Sequence, residues 1–239
     1  IWGTGSKNNE TIPAMIEKIS GLSTLNLGET AYQTSQEINL LSKEIVIHKP
    51  KIIIFYDGVN DIYHKCMKIS DHFSSDQEDN IKQKIESSNS KNLINSPLII
   101  TKKILIKLGF IKIKNSNDFD CHINKEKAEQ IAEVFVNNWI MAKSLADLYS
   151  IKFIPILQPT SFTSNSKLNN LNFHPELKSQ FNIMYEIIKK KLKENNLNYL
   201  NLESSLNKNE YYFIDFCHLS PNGNYEIANK IVNSQQFNY

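Results

Sequence analysis

Arginine is missing altogether. All 27 basic residues are lysine, set against 25 acidic ones, for a formal net charge of +2. Proteins that grip phosphate or guanine bidentately rely on the planar guanidinium fork. Its absence, with a charge near zero, argues against nucleic acid as the main partner. Cysteine is scarce too: Cys66, Cys121 and Cys217 are the only three. So few exclude a disulfide-rich scaffold, and no CxxC or Cys/His spacing of a structural zinc site is present. The three are expected as buried free thiols, and their number allows one disulfide at most. Long hydrophobic runs are lacking. No stretch approaches the ~18 apolar residues of a membrane-spanning helix, and the longest, such as Lys51 to Tyr56, have strand length. No targeting segment or initiator methionine is visible at Ile1-Trp2-Gly3, and the compartment stays open.

What is present suits a globular domain. The 239 residues are 41% hydrophobic and 22% charged, enough apolar mass for a real core in one domain spanning 1–239. Strand-like and helix-like runs alternate. Leu22 to Leu27, ending at Gly28, reads as a strand. A helix with a Thr or Ser cap runs from Thr34 to His48 and stops at Pro50. Lys51 to Tyr56 is apolar throughout, as in a parallel strand buried on both faces. Lys125 to Tyr149 repeats Ile131, Phe135, Trp139, Ala142 and Leu145 at helical spacing. Lys152 to Leu157 is a further strand, Pro175 to Asn195 a helix, and Asn198 to Leu202 a short strand. Ser220-Pro221 opens the last helix.

This alternation predicts a mainly parallel sheet with helices on both sides, a flavodoxin-like three-layer α/β/α sandwich. Residues 64–124 are too long for a βα connection and are expected as an insertion or lid-like segment. Residues 160–174, rich in Ser, Thr and Asn, are expected as a mobile loop at the same edge of the sheet.

Parallel sheets place their sites just past the carboxyl ends of strands. Three segments fall there: Gly28, then Gly58-Val59-Asn60-Asp61, then Asp215-Phe216-Cys217-His218. Asp215 and His218 are three apart. A carboxylate at that distance can hold one imidazole nitrogen and leave the other as a proton acceptor, the requirement for a general base. The Asn60 amide and the unshielded Gly28 N–H can both donate to a developing oxyanion. His48, His64, His72, His122 and His174 have no such partner. Gly3-Thr4-Gly5-Ser6-Lys7 lacks the spacing of a phosphate loop.

In combination, Asn26-Leu27-Gly28, Gly58-Val59-Asn60-Asp61 and Asp215-Phe216-Cys217-His218 resemble the SGNH (GDSL-like) hydrolase superfamily. The resemblance covers nearly all the chain outside 64–124. It implies a Ser-His-Asp ester hydrolase working through an acyl-enzyme, with His218 as general base and Asp215 as its orienter. Gly28 and Asn60 take the oxyanion-hole positions, and Asp61 a structural one. It implies no metal or organic cofactor, and a small-molecule or glycan ester as substrate, in a carbohydrate O-acetylesterase or a lipase-like esterase. One block departs: no Gly-x-Ser nucleophile motif is present, and Trp2-Gly3-Thr4-Gly5 resembles the residues that follow it. The nucleophile and the first strand are therefore expected upstream of Ile1. Ser6 would sit beyond the turn, facing away from the strand tip. Two further readings share the scaffold: a catalytically silent glycan-binding or assembly domain, and an acyltransferase.

Overall fold

The computed structural model describes residues 3–67, 119–164, 166–167, 175–207 and 209–237. Three strands form its sheet: β1 (Ile52–Asp57), β2 (Lys152–Leu157) and β3 (Leu200–Asn201). They pair in the order β1-β2-β3, all parallel. The register sets Ile54 opposite Ile154 and Asp57 opposite Leu157. Successive strand side chains point to opposite faces. Ile53 and Phe55 therefore enter one core with Phe153 and Leu157, while Ile52, Ile54 and Tyr56 pack in the other with Ile154 and Ile156. A strand apolar on both faces needs helices on both faces, and the chain supplies them.

On the first face lie α2 (Thr34–His48), α3 (Val59–Lys65), α4 (Lys125–Leu148) and α5 (Pro175–Glu194). On the second lie α1 (Ile12–Ser20) and α6 (Pro221–Val232). The result is an α/β fold with a parallel sheet between helical layers, a flavodoxin-like sandwich. The α4 stripe is the longest: Ala128, Ile131, Ala132, Phe135, Val136, Trp139, Ala142 and Ala146 are buried at three- and four-residue steps. Truncating a fully buried aromatic such as Trp139 costs about 3–5 kcal/mol.

Helix ends follow local chemistry. Ser220 caps α6 by accepting from the Gly223 N–H, with Pro221 at its first position. Thr11 caps α1, which ends at Gly21 in the left-handed region. The cap of α2 is Gln33, not the expected Thr or Ser, because the Thr34 hydroxyl is used elsewhere.

Two expectations are corrected. Leu22 to Leu27 is not a strand: it has no regular structure, and Leu22, Leu25 and Leu27 are exposed. A strand needs a ladder partner for its N–H and C=O groups, and among the described residues this run has none. Nor are all the cysteines free thiols. Cys66, just after α3, is bonded to Cys121, just before α4, and both are buried. A Met67–Phe119 antiparallel bridge lies beside that link. Of the expected insertion, residues 68–118 lie outside the described residues.

Candidate active site

The loop between Phe213 and Leu219 is closed by its own backbone. Those two residues form an antiparallel bridge, and the Ile214 N–H donates to the His218 carbonyl at 2.9 Å. Inside the loop, Asp215 organises everything. Its Oδ1 accepts the N–H of Cys217 at 2.8 Å and of His218 at 2.7 Å. Its Oδ2 lies 2.6 Å from His218 Nδ1. Burial pushes the Asp215 carboxyl up, but the His218 ring and the two backbone donors outweigh it and bring its pKa down to about 2. A carboxylate so held stays ionised and fixes the ring, leaving Nε2 as the nitrogen with no partner in this pair.

The loop is anchored from behind. The Phe216 ring stacks on Tyr63 of α3 at 5.5 Å and on Phe162 at 6.0 Å, and meets Phe181 of α5 at 5.7 Å. The Ser161 N–H donates to the Phe216 carbonyl at 2.8 Å. Residues 160–164, part of the segment expected as a mobile loop, form a hydrogen-bonded turn. The Thr160 N–H donates to Thr163 Oγ1, and the Thr163 and Ser164 hydroxyls donate to the Glu203 carbonyl. Short hydroxyl side chains that bond to nearby backbone groups favour turns over regular secondary structure. Residues 165 and 168–174 of that segment lie outside the described residues.

The second contributor is the β1–α3 turn. Gly58 has φ +125°, and a Cβ there would lie 3.0 Å from the Tyr185 hydroxyl and 3.1 Å from Leu157, so only glycine fits. The turn delivers Asn60, whose Nδ2 donates to the Tyr32 carbonyl at 2.8 Å. It also delivers Asp61, which is buried and accepts both the N–H and the hydroxyl of Thr34. Burial raises the Asp61 pKa despite Lys65 and the Thr34 donors. Asp61 therefore pins the start of α2, the structural part expected of it.

Gly28 is placed differently from expectation. Its N–H is not free: it donates to Asn26 Oδ1 at 3.1 Å. An Asn side chain two residues back commonly closes such an Asx turn. Gly28, Asn60 and His218 nonetheless line one groove of about 870 Å³, which runs along β1 from Lys51 to Gly58 beneath residues 22–32. Asp215 stands behind His218. Ser6 is held at the start of α6, where its hydroxyl accepts from Asn224 Nδ2 at 2.9 Å. Contrary to expectation His48 has a carboxylate partner, Glu44, and both line the same groove, while His122 bonds to Gln180 outside it. His72 and His174 lie outside the described residues.

A model of the GDSL-like lipase/acylhydrolase family matches residues 4–231. The chain belongs to the GDSL-like lipase/acylhydrolase family. Among solved structures it resembles the acetyl xylan esterase AlAXEase with a TM-score of 0.53 and 13% identity, over 95% of this chain and 91% of that one. That likeness is one of fold. No curated protein matches the chain.

In this GDSL-like family member, three groups escape sequence reasoning. Asp57, at the tip of β1, accepts the Trp139 indole N–H at 2.8 Å and is hydrogen-bonded to Glu37. Burial pushes the Asp57 pKa up to about 7, and burial together with Asp57 raises Glu37 well above the usual range. Both shifts favour the protonated form of these two carboxyls. Glu37 Oε2 has no described partner. In sequence Glu37 looks like one more polar residue on an amphipathic helix, and nothing there marks it. The third group is the Cys217 thiol, 3.6 Å from His218 Nδ1. Its only sequence signal is its place next to the histidine.

Proposed function

We propose that this protein is a serine carboxylic-ester hydrolase acting through an acyl-enzyme. His218 Nε2 takes the proton of a serine hydroxyl as that oxygen attacks the ester carbonyl. The imidazolium formed is held by Asp215. The tetrahedral oxyanion is met by the second N–H of the Asn60 amide, whose first serves the Tyr32 carbonyl. The Gly28 N–H joins it once released from Asn26. As the intermediate collapses, the imidazolium protonates the leaving alcohol. His218 then takes a proton from water, which attacks the acyl-serine, and the carboxylate leaves. No metal or cofactor enters these steps. In this reading the serine precedes Ile1, because Ser6, whose hydroxyl accepts from Asn224 Nδ2, is not among the residues that line the groove.

One observation carries the reading: an ionised carboxylate 2.6 Å from His218 Nδ1, on a loop whose histidine shares a groove with Asn60. Family membership supports the same chemistry. The solved neighbour's name, acetyl xylan esterase, puts a small acyl group first among substrates.

The test uses the full natural protein. Turnover of p-nitrophenyl acetate should fall by about 10³-fold or more in His218→Ala while the thermal unfolding transition persists. A fluorophosphonate probe, mapped by peptide mass, should label a serine upstream of Ile1. A labelled Ser6, or a fully active His218→Ala, would defeat the assignment.

A further inference from the structure

Among the described residues, one cluster offers three different metal-ligating atoms: Asp215, Cys217 and His218, whose donor atoms all lie within 4.8 Å of one another. Cys217 is the one cysteine outside the disulfide. It lines the groove together with His218, so an ion in the groove would meet both. The loop that carries them is braced by the backbone bridge, the two N–H bonds to Asp215 Oδ1 and the stacked Phe216 ring.

The spacing can be compared with a tetrahedral zinc centre. With a Zn–S bond near 2.3 Å and a Zn–N bond near 2.05 Å, sulfur and nitrogen ligands stand about 3.6 Å apart. The observed Cys217 Sγ to His218 Nδ1 distance is 3.6 Å. Nitrogen and oxygen ligands would stand about 3.3 Å apart, so the 2.6 Å Asp215–His218 pair has only to open. A carboxylate and an imidazole alone are an undiscriminating pair. The sulfur makes the set one for thiophilic, borderline-soft cations and against magnesium or calcium.

We propose that Asp215, Cys217 and His218 form a binding site for a thiophilic divalent cation of the zinc–cadmium type, and that this cation competes with the catalytic hydrogen bond for His218 Nδ1. The proton balance is simple. The thiol proton of Cys217 goes to solvent as sulfur binds. The single ring proton of neutral His218 moves from Nδ1 to Nε2 as Nδ1 binds. Nothing is oxidised or reduced, and one proton is released per ion. Nε2 then carries a hydrogen and has no lone pair for a serine proton. The same three residues that prepare the base thereby hold the means of switching it off. The site does not depend on the hydrolase reading; its inhibitory effect does.

The experiment titrates the full natural chain, disulfide intact, with CdCl₂ in the absence of thiol reductants. An ultraviolet sulfur-to-cadmium charge-transfer band should grow and saturate at one equivalent. It should be lost in Cys217→Ser and need at least ten times more cadmium in His218→Ala. Hydrolysis of p-nitrophenyl acetate should fall along the same curve, return on adding EDTA, and resist MgCl₂. Whatever turnover Cys217→Ser retains should need at least ten times more cadmium for half-inhibition. The site is refuted if no band forms, if the band survives Cys217→Ser, or if magnesium inhibits as well as cadmium. A normal band with undiminished turnover would refute the capture of Nδ1. If the parent shows no ester turnover, the hydrolase reading fails and the band alone decides the metal site. A retained unfolding transition in each variant separates lost ligation from lost fold.

Discussion

In the proposed mechanism, oxyanion stabilisation rests most heavily on Asn60. The Gly28 N–H is already taken by Asn26, whereas the Asn60 amide keeps one hydrogen to spare. Removing a single preorganised donor of this kind costs about 10²–10³ in rate, or about 2.7–4 kcal/mol of transition-state stabilisation. Asn60→Ala in the full natural chain should lose that factor in kcat with KM little changed, measured with p-nitrophenyl acetate. A rate within threefold of the parent would take Asn60 out of the hole. The Asp215–His218 dyad is legible in the amino-acid sequence alone, because a three-residue spacing in a loop brings carboxylate and imidazole within reach. The Asn26–Gly28 turn is equally present as letters, yet a glycine after an apolar run looks like a free donor. Bonds to a residue's own near neighbours are the ones that spacing between distant motifs conceals.

Elements are legible where a residue pattern alone determines them. The α4 stripe and the doubly apolar β1 and β2 runs fall where their periodicities put them, to within a residue or so. Leu22 to Leu27 misleads because a strand is a property of a pair, and apolar letters say nothing about whether a partner is there. The Cys66–Cys121 link is hidden for a similar reason: 55 residues separate the two, and long-range contacts such as the Met67–Phe119 bridge and the Asp120 N–H bond to the Cys66 carbonyl bring them together. Closing a loop of that length removes denatured-state entropy worth about 4 kcal/mol in the chain-entropy account. Replacing both cysteines by serine, Cys66→Ser with Cys121→Ser, should therefore lower the denaturant midpoint of the full chain by an amount equivalent to about 2–4 kcal/mol. An unchanged midpoint would mean that the link adds nothing to stability.

Over the whole molecule the balance of ionisable groups sets how stability varies with pH. Glu37 and Asp57 hold a proton in the folded state that the unfolded chain has lost, since free Glu and Asp titrate near 4.3 and 3.9. With more protons bound in the folded form, stability falls as pH rises from about 4 through about 7, where Asp57 ionises. Asp215 works in the opposite sense: its contribution is present above about 4 and is lost as pH drops toward 2. Scanning calorimetry at pH 5, 6 and 7.5 should show Tm declining across the series, and Glu37→Gln should flatten the decline. A Tm that rises over this range would contradict the raised Glu37 and Asp57 values.

The neck at Met67 and Phe119 has a bearing on how such a protein can change. Chain leaves α3 and returns to α4 at a single point, cross-braced by sulfur, so both ends of whatever lies between are held in one fixed place. The free-energy penalty for lengthening a tethered excursion grows only with the logarithm of its size, roughly 0.6 kcal/mol per doubling. Segments of very different length and character can therefore be exchanged there, as a cassette, while the imidazole and the amide keep their positions.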